Sequence, residues 1–270
     1  MKPFFSIIIP TLNEEFFLPR LLNDINKQKE KNYEVIIVDG CSTDNTKKIT
    51  LSYKKRFYQI NKNNVSTQRN FGAKKATGKY LVFLDADIRI RKSFLQNTYK
   101  NIIKKKGLIF IPYLIPERGE EEYKPIFDLS NMFVEFSQNL NKKFSLGGSM
   151  IIEANLFKLI GGFDEKLHVS EDHEIIQRAH SWGVNPKFMN NVPITFCLRR
   201  MKKEGQLKLL YKYLLSTAHR LFIGEIKNKI FNYEMGGQVY ENKKIKKKGL
   251  NYYINKIEKL FNRIKNELKS

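Results

Sequence analysis

Residues 79–90 read KYLVFLDADIRI, in which an uninterrupted apolar run, Tyr80–Leu84, ends at Asp85. Two further runs have the same form, Phe4–Ile9 and Glu34–Val38, and each also ends in turn-forming or polar residues. Runs of this length that are rich in Ile and Val, and that do not alternate with polar residues, indicate strands buried on both faces of a sheet.

Segments with helical periodicity separate these runs. Phe16–Lys31 has apolar residues at helical spacing, and helices are predicted near Asn45–Tyr53 and Thr67–Ala76, with a short strand near Tyr58–Ile60 between them. Strands that alternate with helices favour right-handed crossovers and a parallel sheet. We therefore predict an α/β fold with a Rossmann-like, mostly parallel central sheet flanked by helices. Ligands of such sheets bind beyond the carboxyl ends of the strands.

The second half of the chain is less regular. The pattern predicts a helix over Lys92–Lys106, a strand over Leu108–Leu114, a polar loop over Pro112–Pro125, and helices over Ala154–Ile160 and Glu171–Trp182. Residues 206–270 contain an amphipathic stretch followed by a tail rich in lysine. We therefore divide the chain into a domain over 1–205 and a basic, amphipathic helical extension over 206–270.

Composition narrows the class of protein. The chain has 270 residues, 41% of them hydrophobic, and a mean hydropathy of −0.46. These values exclude a mostly disordered chain and a protein with many membrane spans. The 49 Lys and Arg residues against 27 Asp and Glu residues give a formal net charge of +22. Such a charge favours an anionic partner, which can be nucleic acid, an acidic membrane surface or a phosphorylated ligand.

The two cysteines, Cys41 and Cys197, cannot form a disulfide framework, and no Cys/His spacing resembles a zinc site. The apolar run near the N-terminus is too short for a secretory signal. We expect a cytoplasmic protein, and the basic tail leaves open a peripheral position at the inner face of the cell membrane.

Acidic side chains follow the apolar runs and open the last predicted helix. Asp85 and Asp87 can share a divalent cation, because Mg²⁺ and Mn²⁺ favour carboxylate, phosphate and water oxygens. Asp39 could accept hydrogen bonds from a base or ribose, and one carboxylate of Glu171-Asp172 could act as a general base. Each residue also has a structural explanation, since acidic side chains commonly cap helices and are favoured at their N-termini.

Taken together, five segments resemble the family 2 glycosyltransferases, inverting nucleotide-sugar enzymes with a GT-A fold. The matching segments are FSIIIPTLNEE (5–15), YEVIIVDGCSTDNT (33–46), STQRNFGAKKATGKYLVFLDADIRI (66–90), GGSMIIEANLFKLIGGFDEKLHVSEDHEIIQRAHSWG (147–183) and LRRMKKEG (198–205). Each segment alone is weakly specific, but the set follows the order of the family.

The resemblance implies roles for individual residues. A nucleotide-sugar site would be lined by Pro10, Thr11, Glu14, Asp39, Arg69, Asp85, Ala86 and Asp87. Within it Asp39 would bind the base, often uracil or guanine, and Arg69 would lie near the phosphates. Asp85 and Asp87 would hold Mg²⁺ or Mn²⁺. Asp172 would be the catalytic base, and the acceptor side would comprise Gly147, Gly148, Glu171, Arg199 and Arg200.

The implied reaction transfers a sugar from a UDP- or GDP-sugar to a hydroxyl of a glycan or lipid-linked acceptor, with inversion at the anomeric carbon. The tryptophan of the motif used by processive synthases is absent after Leu198-Arg199-Arg200, which argues against processive polymerisation. One alternative is a polyprenyl-phosphate sugar synthase at a membrane surface, which the basic tail favours. Another is a non-catalytic binder of nucleotide sugars or nucleic acid. Nucleic acid is disfavoured, because the basic residues are spread along the chain and form no known binding module.

Overall fold

An eight-stranded sheet forms the centre of the part of the chain that the computed structural model describes, residues 2–139, 143–145, 149–167 and 170–197. The strands are β1 (Phe5–Thr11), β2 (Tyr33–Asp39), β3 (Arg56–Gln59), β4 (Tyr80–Phe83), β5 (Arg89–Ile90), β6 (Ile109–Pro116), β7 (Met150–Glu153) and β8 (Lys187–Phe196). Their spatial order is β3-β2-β1-β4-β7-β6-β8-β5. The three apolar runs are thus confirmed as neighbouring strands β2, β1 and β4.

Helices connect the strands. They are α1 (Leu18–Asn26), α2 (Thr46–Ser52), α3 (Val65–Lys75), α4 (Phe94–Lys105), α5 (Lys124–Ser137), α6 (Ala154–Leu159) and α7 (Glu171–Ser181). All seven residues of β1 are buried, as expected for a strand with both faces covered. Helix α3 packs against β1 and β2.

The sheet is mixed and curled. Strands β3, β2, β1 and β4 are parallel, whereas β7 runs antiparallel to both β4 and β6. Strand β6 therefore has the same direction as β4, and its carboxyl end lies at the same edge. Strand β5 is at the edge of the sheet, last in the spatial order. Its Arg89 nevertheless pairs with Asp24 of α1, the helix that follows the central strand β1. This contact brings the far end of the sheet back toward its centre.

The prediction of a polar loop over Pro112–Pro125 is wrong. Strand β6 continues to Pro116, a 3₁₀ turn covers Glu121–Tyr123, and α5 then begins. The helix is held to the strand by Asn131, whose amide donates to the carbonyl of Leu114 and accepts from its N–H. Pro125 lies in the first turn of α5, where the missing N–H removes no helical hydrogen bond.

Strands β5 and β8 and most of α5 were not predicted. The described residues belong to one compact unit. The boundary predicted at residue 205, and the helical extension after it, lie outside the described residues. No helix within the described ranges combines the length and the apolar character that crossing a bilayer requires.

Candidate functional site

The carboxyl ends of β1 and β2 bring two of the predicted site residues into contact. The parallel register pairs Thr11 with Asp39, and the Thr11 hydroxyl donates to Asp39 Oδ1 at 2.9 Å. The N–H of Ser42 donates to Asp39 Oδ2 at 2.8 Å, and the Ser42 hydroxyl donates to Oδ1. Asp39 is 1% exposed. Its carboxylate is therefore fixed in orientation before any ligand arrives.

The loops that follow β1 and β2 are joined by further hydrogen bonds. Asn13, which has a positive φ of 53°, accepts from the N–H of Thr43 at 2.8 Å and donates its own N–H to Ser42 Oγ. Asparagine tolerates this left-handed conformation better than most residues. The N–H of Glu14 donates to Thr46 Oγ1 at 2.9 Å. We call these two loops, together with the strand ends that precede them, the rim. It includes Pro10 and Glu14, which are both predicted site residues and are buried.

Two consecutive residues of α3 connect this rim to a second group of acids. Gln68 donates its amide to the carbonyls of Thr11 and Val38 at 2.7 and 2.9 Å. Arg69, the next residue, donates to Asp85 at 2.7 Å and to Glu171 at 2.7 Å. The Cα atoms of Gln68 and Arg69 lie about 3.8 Å apart, as in any two adjacent residues. The strand ends that carry Thr11 and Asp39 therefore lie in the same region of the sheet edge as Asp85.

Arg69 is buried and lies between acids of two distant segments. Its residue is 1% exposed, and the guanidinium lies over the Phe163 ring at 5.4 Å. Burial by itself would lower the pKa of Arg69, but the nearby charges of Asp85, Glu171 and Asp172 raise it above its ordinary value. Both terminal nitrogens of Arg69 bind carboxylates, and its place near the donor phosphates, which the resemblance implies, stays a prediction.

The two acids that begin α7 share this buried cation. Burial raises the pKa of Glu171, Arg69 lowers it in part, and the charge of Asp172 raises it further. Asp172 is 7% exposed and close enough to act on both Arg69 and Glu171. Arg69 thus brings Asp85, Glu171 and Asp172 together. Asp39 lies beside them at the end of β2, where the adjacent Gln68 binds the carbonyl of Val38.

The turn after β4 has the donor set that a hard divalent cation prefers. The Asp85 side chain is 33% exposed, and Arg69 bonds its Oδ1 only. Asp87 lies two residues further along the turn and is also partly exposed, whereas Ala86 between them is buried. Across the described part of the chain, no three His, Cys, Asp or Glu residues form a metal-binding group. A cation at Asp85 and Asp87 therefore fits only if phosphate or water oxygens complete its coordination.

Two positioning contacts near α7 were not predicted. Asn70 binds the backbone of Phe163 through both ends of its amide, with distances of 2.9 Å each. His173 of α7 accepts at Nδ1 from the N–H of Ser145 at 2.9 Å. Helical spacing places Asn70 and Arg69 on α3, but only the fold shows which segments they reach. Gly147, Gly148, Arg199 and Arg200, predicted on the acceptor side, lie outside the described residues.

Residues 6–160 match the family model described as glycosyl transferase family 2. The chain is 35% identical over 193 residues to the poly(ribitol-phosphate) beta-N-acetylglucosaminyltransferase TarS of Staphylococcus aureus, covering 65% of this chain and 32% of TarS. It is 35% identical over 137 residues to TarP of the same organism, covering 47% of this chain and 42% of TarP. The chain thus spans less than half the length of these two relatives.

Solved structures share the fold. The structure of TarS residues 1–349 in complex with UDP-GlcNAc superposes with a TM-score of 0.57 and 24% identity, over 71% of this chain and 56% of that one. The mannosyltransferase PcManGT from Pyrobaculum calidifontis, in complex with GDP-Man and Mn²⁺, gives a TM-score of 0.62 and 17% identity, over 79% of this chain and 65% of that one.

Proposed function

The chain belongs to glycosyl transferase family 2 and has the GT-A fold, and from that premise we propose that it transfers a sugar from a nucleoside diphosphate donor to a hydroxyl acceptor with inversion. The observation that carries the proposal is that acids from three distant segments lie at one sheet edge. Arg69 holds Asp85 and Glu171, which is followed by Asp172. The adjacent Gln68 binds the carbonyls of Thr11 and Val38, next to Asp39. A stable fold alone would not require so many carboxylates at one edge, because their mutual repulsion opposes folding.

The rim of the two loops after β1 and β2 would bind the nucleotide. Asp39 is held by Thr11 and Ser42, and Oδ2 accepts one hydrogen bond that the structure records. An ionised carboxylate oxygen can accept more than one, so Oδ2 retains capacity for an N–H of a base. Uracil and guanine both present such a donor. TarS has been crystallised with UDP-GlcNAc and PcManGT with GDP-Man, which supports a UDP- or GDP-sugar as the donor.

The Asp85-Ala86-Asp87 turn would hold the divalent cation, Mg²⁺ or Mn²⁺, that accompanies the donor diphosphate. When bound, such a cation offsets the negative charge that grows on the departing nucleoside diphosphate. Arg69 contributes by fixing the partly exposed Asp85 through Oδ1, which leaves the other carboxylate oxygen for the cation. The Mn²⁺ in the PcManGT complex supports a cation of this type.

Asp172 would accept the proton of the attacking hydroxyl. A single displacement requires the acceptor to attack opposite the departing diphosphate, which inverts the anomeric centre, as in inverting glycosidases. The carboxylate pair at the start of α7 comes from a different segment than the acids of the β4 turn, so the two can serve opposite sides of the sugar. General-base assistance of this kind typically contributes about 10²–10⁴-fold.

The acceptor would be a hydroxyl on a glycan or on a lipid-linked saccharide. TarS and TarP are named for transfer to poly(ribitol-phosphate), which supports a polymer with hydroxyl groups as one such acceptor. A polyprenyl-phosphate acceptor at an anionic membrane surface is the alternative. It depends on residues 206–270, which lie outside the described residues, and would make Asp172 dispensable, because a phosphate oxygen is already ionised.

A thermal-shift panel tests the proposal directly. The full chain is heated with UDP-, GDP-, TDP- and CMP-sugars, each with and without Mg²⁺ or Mn²⁺. A donor at 100 times its Kd should stabilise the native state by about 2.7 kcal/mol, and Asp87→Ala should remove the cation-dependent part of that gain. Glu122→Ala, which removes an exposed carboxylate in the 3₁₀ turn, is the matched control. If no nucleotide sugar stabilises the protein under any condition, the proposed function is wrong.

A further inference from the structure

A cavity of about 380 Å³ is lined by four arginines, Arg20, Arg89, Arg91 and Arg118. The chain has 11 arginines and 38 lysines, yet no lysine is among the described residues that line this cavity. Guanidinium groups present a planar fork of N–H donors that matches the oxygens of a phosphate, whereas an ammonium acts as a point charge. The lining therefore offers the type of donor that suits a phosphate, in a chain whose basic residues are mostly lysine.

Two of the four guanidiniums are held in place by carboxylates. Arg89 donates to both oxygens of Asp24 at 2.6 and 2.8 Å, and Arg20 donates to Glu117 at 2.7 Å. These pairs connect β5 to α1, and α1 to the segment after β6. Each guanidinium has five N–H donors, so the pairing orients Arg20 and Arg89 and leaves donors for a ligand.

The other two arginines are exposed and form no salt bridge within the described ranges. Arg91 follows β5, and Arg118 follows β6. Four cations against the carboxylates of Asp24 and Glu117 give the lining a net formal charge of +2. An anion in the cavity would lower the repulsion among these side chains and gain charge-assisted hydrogen bonds.

The cavity lies at the same edge of the sheet as the donor site but uses different residues. Arg89 is two residues beyond Asp87, so their Cα atoms lie at most about 7 Å apart. Arg118 follows the carboxyl end of β6, which runs in the same direction as β4. Asp85 and Asp87, as carboxylates, suit a cation and the donor diphosphate that it accompanies. A second anion next to them must therefore come from the other substrate.

We infer that this four-arginine cavity binds a phosphate or phosphodiester group carried by the acceptor, beside the donor site and independently of it. The assignment of the phosphate to the acceptor rests on the proposed glycosyl transfer, whereas phosphate binding by the cavity does not. An acceptor with a phosphate next to its reacting hydroxyl would thus be held by two points, which fixes the hydroxyl in the cleft.

The test measures binding of inorganic phosphate and of dimethyl phosphate to the full chain by calorimetry, with and without saturating UDP and Mg²⁺. The double variant R91A/R118A is expected to bind both probes about tenfold more weakly or worse, because each lost guanidinium removes charge-assisted hydrogen bonds. The matched control K92A/K100A removes the same charge from exposed positions outside the cavity and should bind like the unaltered chain. R91K/R118K, which keeps the charge but loses the fork, should fall between them.

Three outcomes would overturn the inference. Displacement of the probes by UDP would assign the anion to the donor site. Equal weakening in K92A/K100A and R91A/R118A would mean diffuse attraction to a basic surface. Binding of inorganic phosphate without dimethyl phosphate would indicate a site for free phosphate rather than for a phosphodiester acceptor. Failure of UDP itself to bind would count against the proposed function alone, because probe binding without UDP still reports on the cavity.

Discussion

A buried guanidinium lies among three carboxylates at the start of α7 and the end of β4. Arg69 hydrogen-bonds Asp85 and Glu171, and its charge also acts on Asp172. Burial disfavours the charged form of Glu171, and the single charge of Arg69, shared among three acids, offsets this only in part, so the pKa of Glu171 rises. Removing a partner from such a buried pair is strongly destabilising, about 3–5 kcal/mol. The arrangement therefore needs Arg69 for stability and for the orientation of the acids.

Asp172→Asn should abolish transfer and leave nucleotide binding nearly unchanged. The substitution keeps the shape of the side chain but removes its capacity to take a proton, so turnover should fall by about 10²–10⁴-fold. The donor contacts proposed at Asp39 and Asp87 remain. Transfer is measured with the donor found in the thermal-shift panel, and nucleotide affinity by calorimetry.

Glu174→Gln is the control for that experiment. Glu174 lies on the same helix but pairs with Arg178 rather than with Arg69, so its loss should leave turnover largely intact. The assignment fails if Asp172→Asn remains active. If Asp172→Asn keeps its turnover and Glu171→Gln is inactive, Glu171 is the base.

Helix α3 lies close against the sheet at Gly72. A Cβ added there would lie 2.5 Å from Ile8 Cγ2 and 3.2 Å from Val38 Cγ2. These two side chains belong to β1 and β2, the strands that carry Thr11 and Asp39. The absence of a side chain at Gly72 thus sets how closely Gln68 and Arg69 approach the strand ends.

Gly72→Ala should therefore destabilise the protein, although alanine is the better helix former. The gain in helix propensity is about 0.5–1 kcal/mol, whereas overpacking typically costs about 1–3 kcal/mol. We expect a net loss in the free energy of unfolding and weaker nucleotide binding, measured by urea denaturation and calorimetry. Gly119→Ala would be strained by its φ of +87° but meets no neighbouring atom, so it should leave nucleotide affinity unchanged. A more stable Gly72→Ala would contradict this account.

Strand β2 is joined to its neighbours by Glu34. Its carboxylate accepts from Ser6 of β1, from Arg56 of β3, and from both the N–H and the hydroxyl of Thr77 before β4. Burial alone would raise the pKa of Glu34, but these hydrogen bonds and the Arg56 charge lower it below its ordinary value of 4.5. A carboxyl whose pKa is lowered by folding stabilises the native state above the unfolded pKa and loses that contribution as the pH falls.

Glu34→Gln should accordingly reduce stability at pH 7 and have less effect in acid. Hydrogen bonds to a charged group contribute about 1.5–3 kcal/mol each, but the part-exposed Arg56 pair adds little, so a loss of about 1–3 kcal/mol is expected. The difference from the unaltered chain should shrink as the pH falls from 4.5 through the lowered pKa. Urea denaturation between pH 3 and pH 7 measures it, with exposed Glu122→Gln as control. A difference independent of pH would mean that the carboxylate charge is not involved.

Across the whole described molecule, the proposed donor site lies at the carboxyl ends of β1, β2 and β4, whereas α5 packs against β6. Nucleotide binding should then slow amide hydrogen exchange in the loops 11–15, 39–46 and 84–88. Helix α5 should not change, since it contributes no proposed donor contact. Exchange of the full chain is compared with and without UDP and Mg²⁺. Protection confined to β8 or α5 would place the nucleotide elsewhere.

Helix α5 exposes large apolar side chains, which the sequence alone did not indicate. Leu129 and Met132 are 62% and 61% exposed, and Phe136 is 60% exposed. The buried side of the helix carries Phe127 and Val134, and between them polar Asn131, which binds Leu114. A pattern search that assigns every apolar residue to the core therefore misplaces Leu129, Met132 and Phe136.

The sequence by itself determined the strands β1, β2 and β4 and the helices between them, because local apolar runs and helical periods specify these elements without distant contacts. It also placed Asp39, Asp85 and Asp87 at one sheet edge, since parallel strands end on the same side. Only the tertiary structure decided that Arg69 joins Asp85 to Glu171 of α7 and that Gln68 binds the ends of β1 and β2. It also decided that four arginines meet in one cavity. Those contacts bridge residues far apart in the chain, and the distances between them depend on packing that no local pattern encodes.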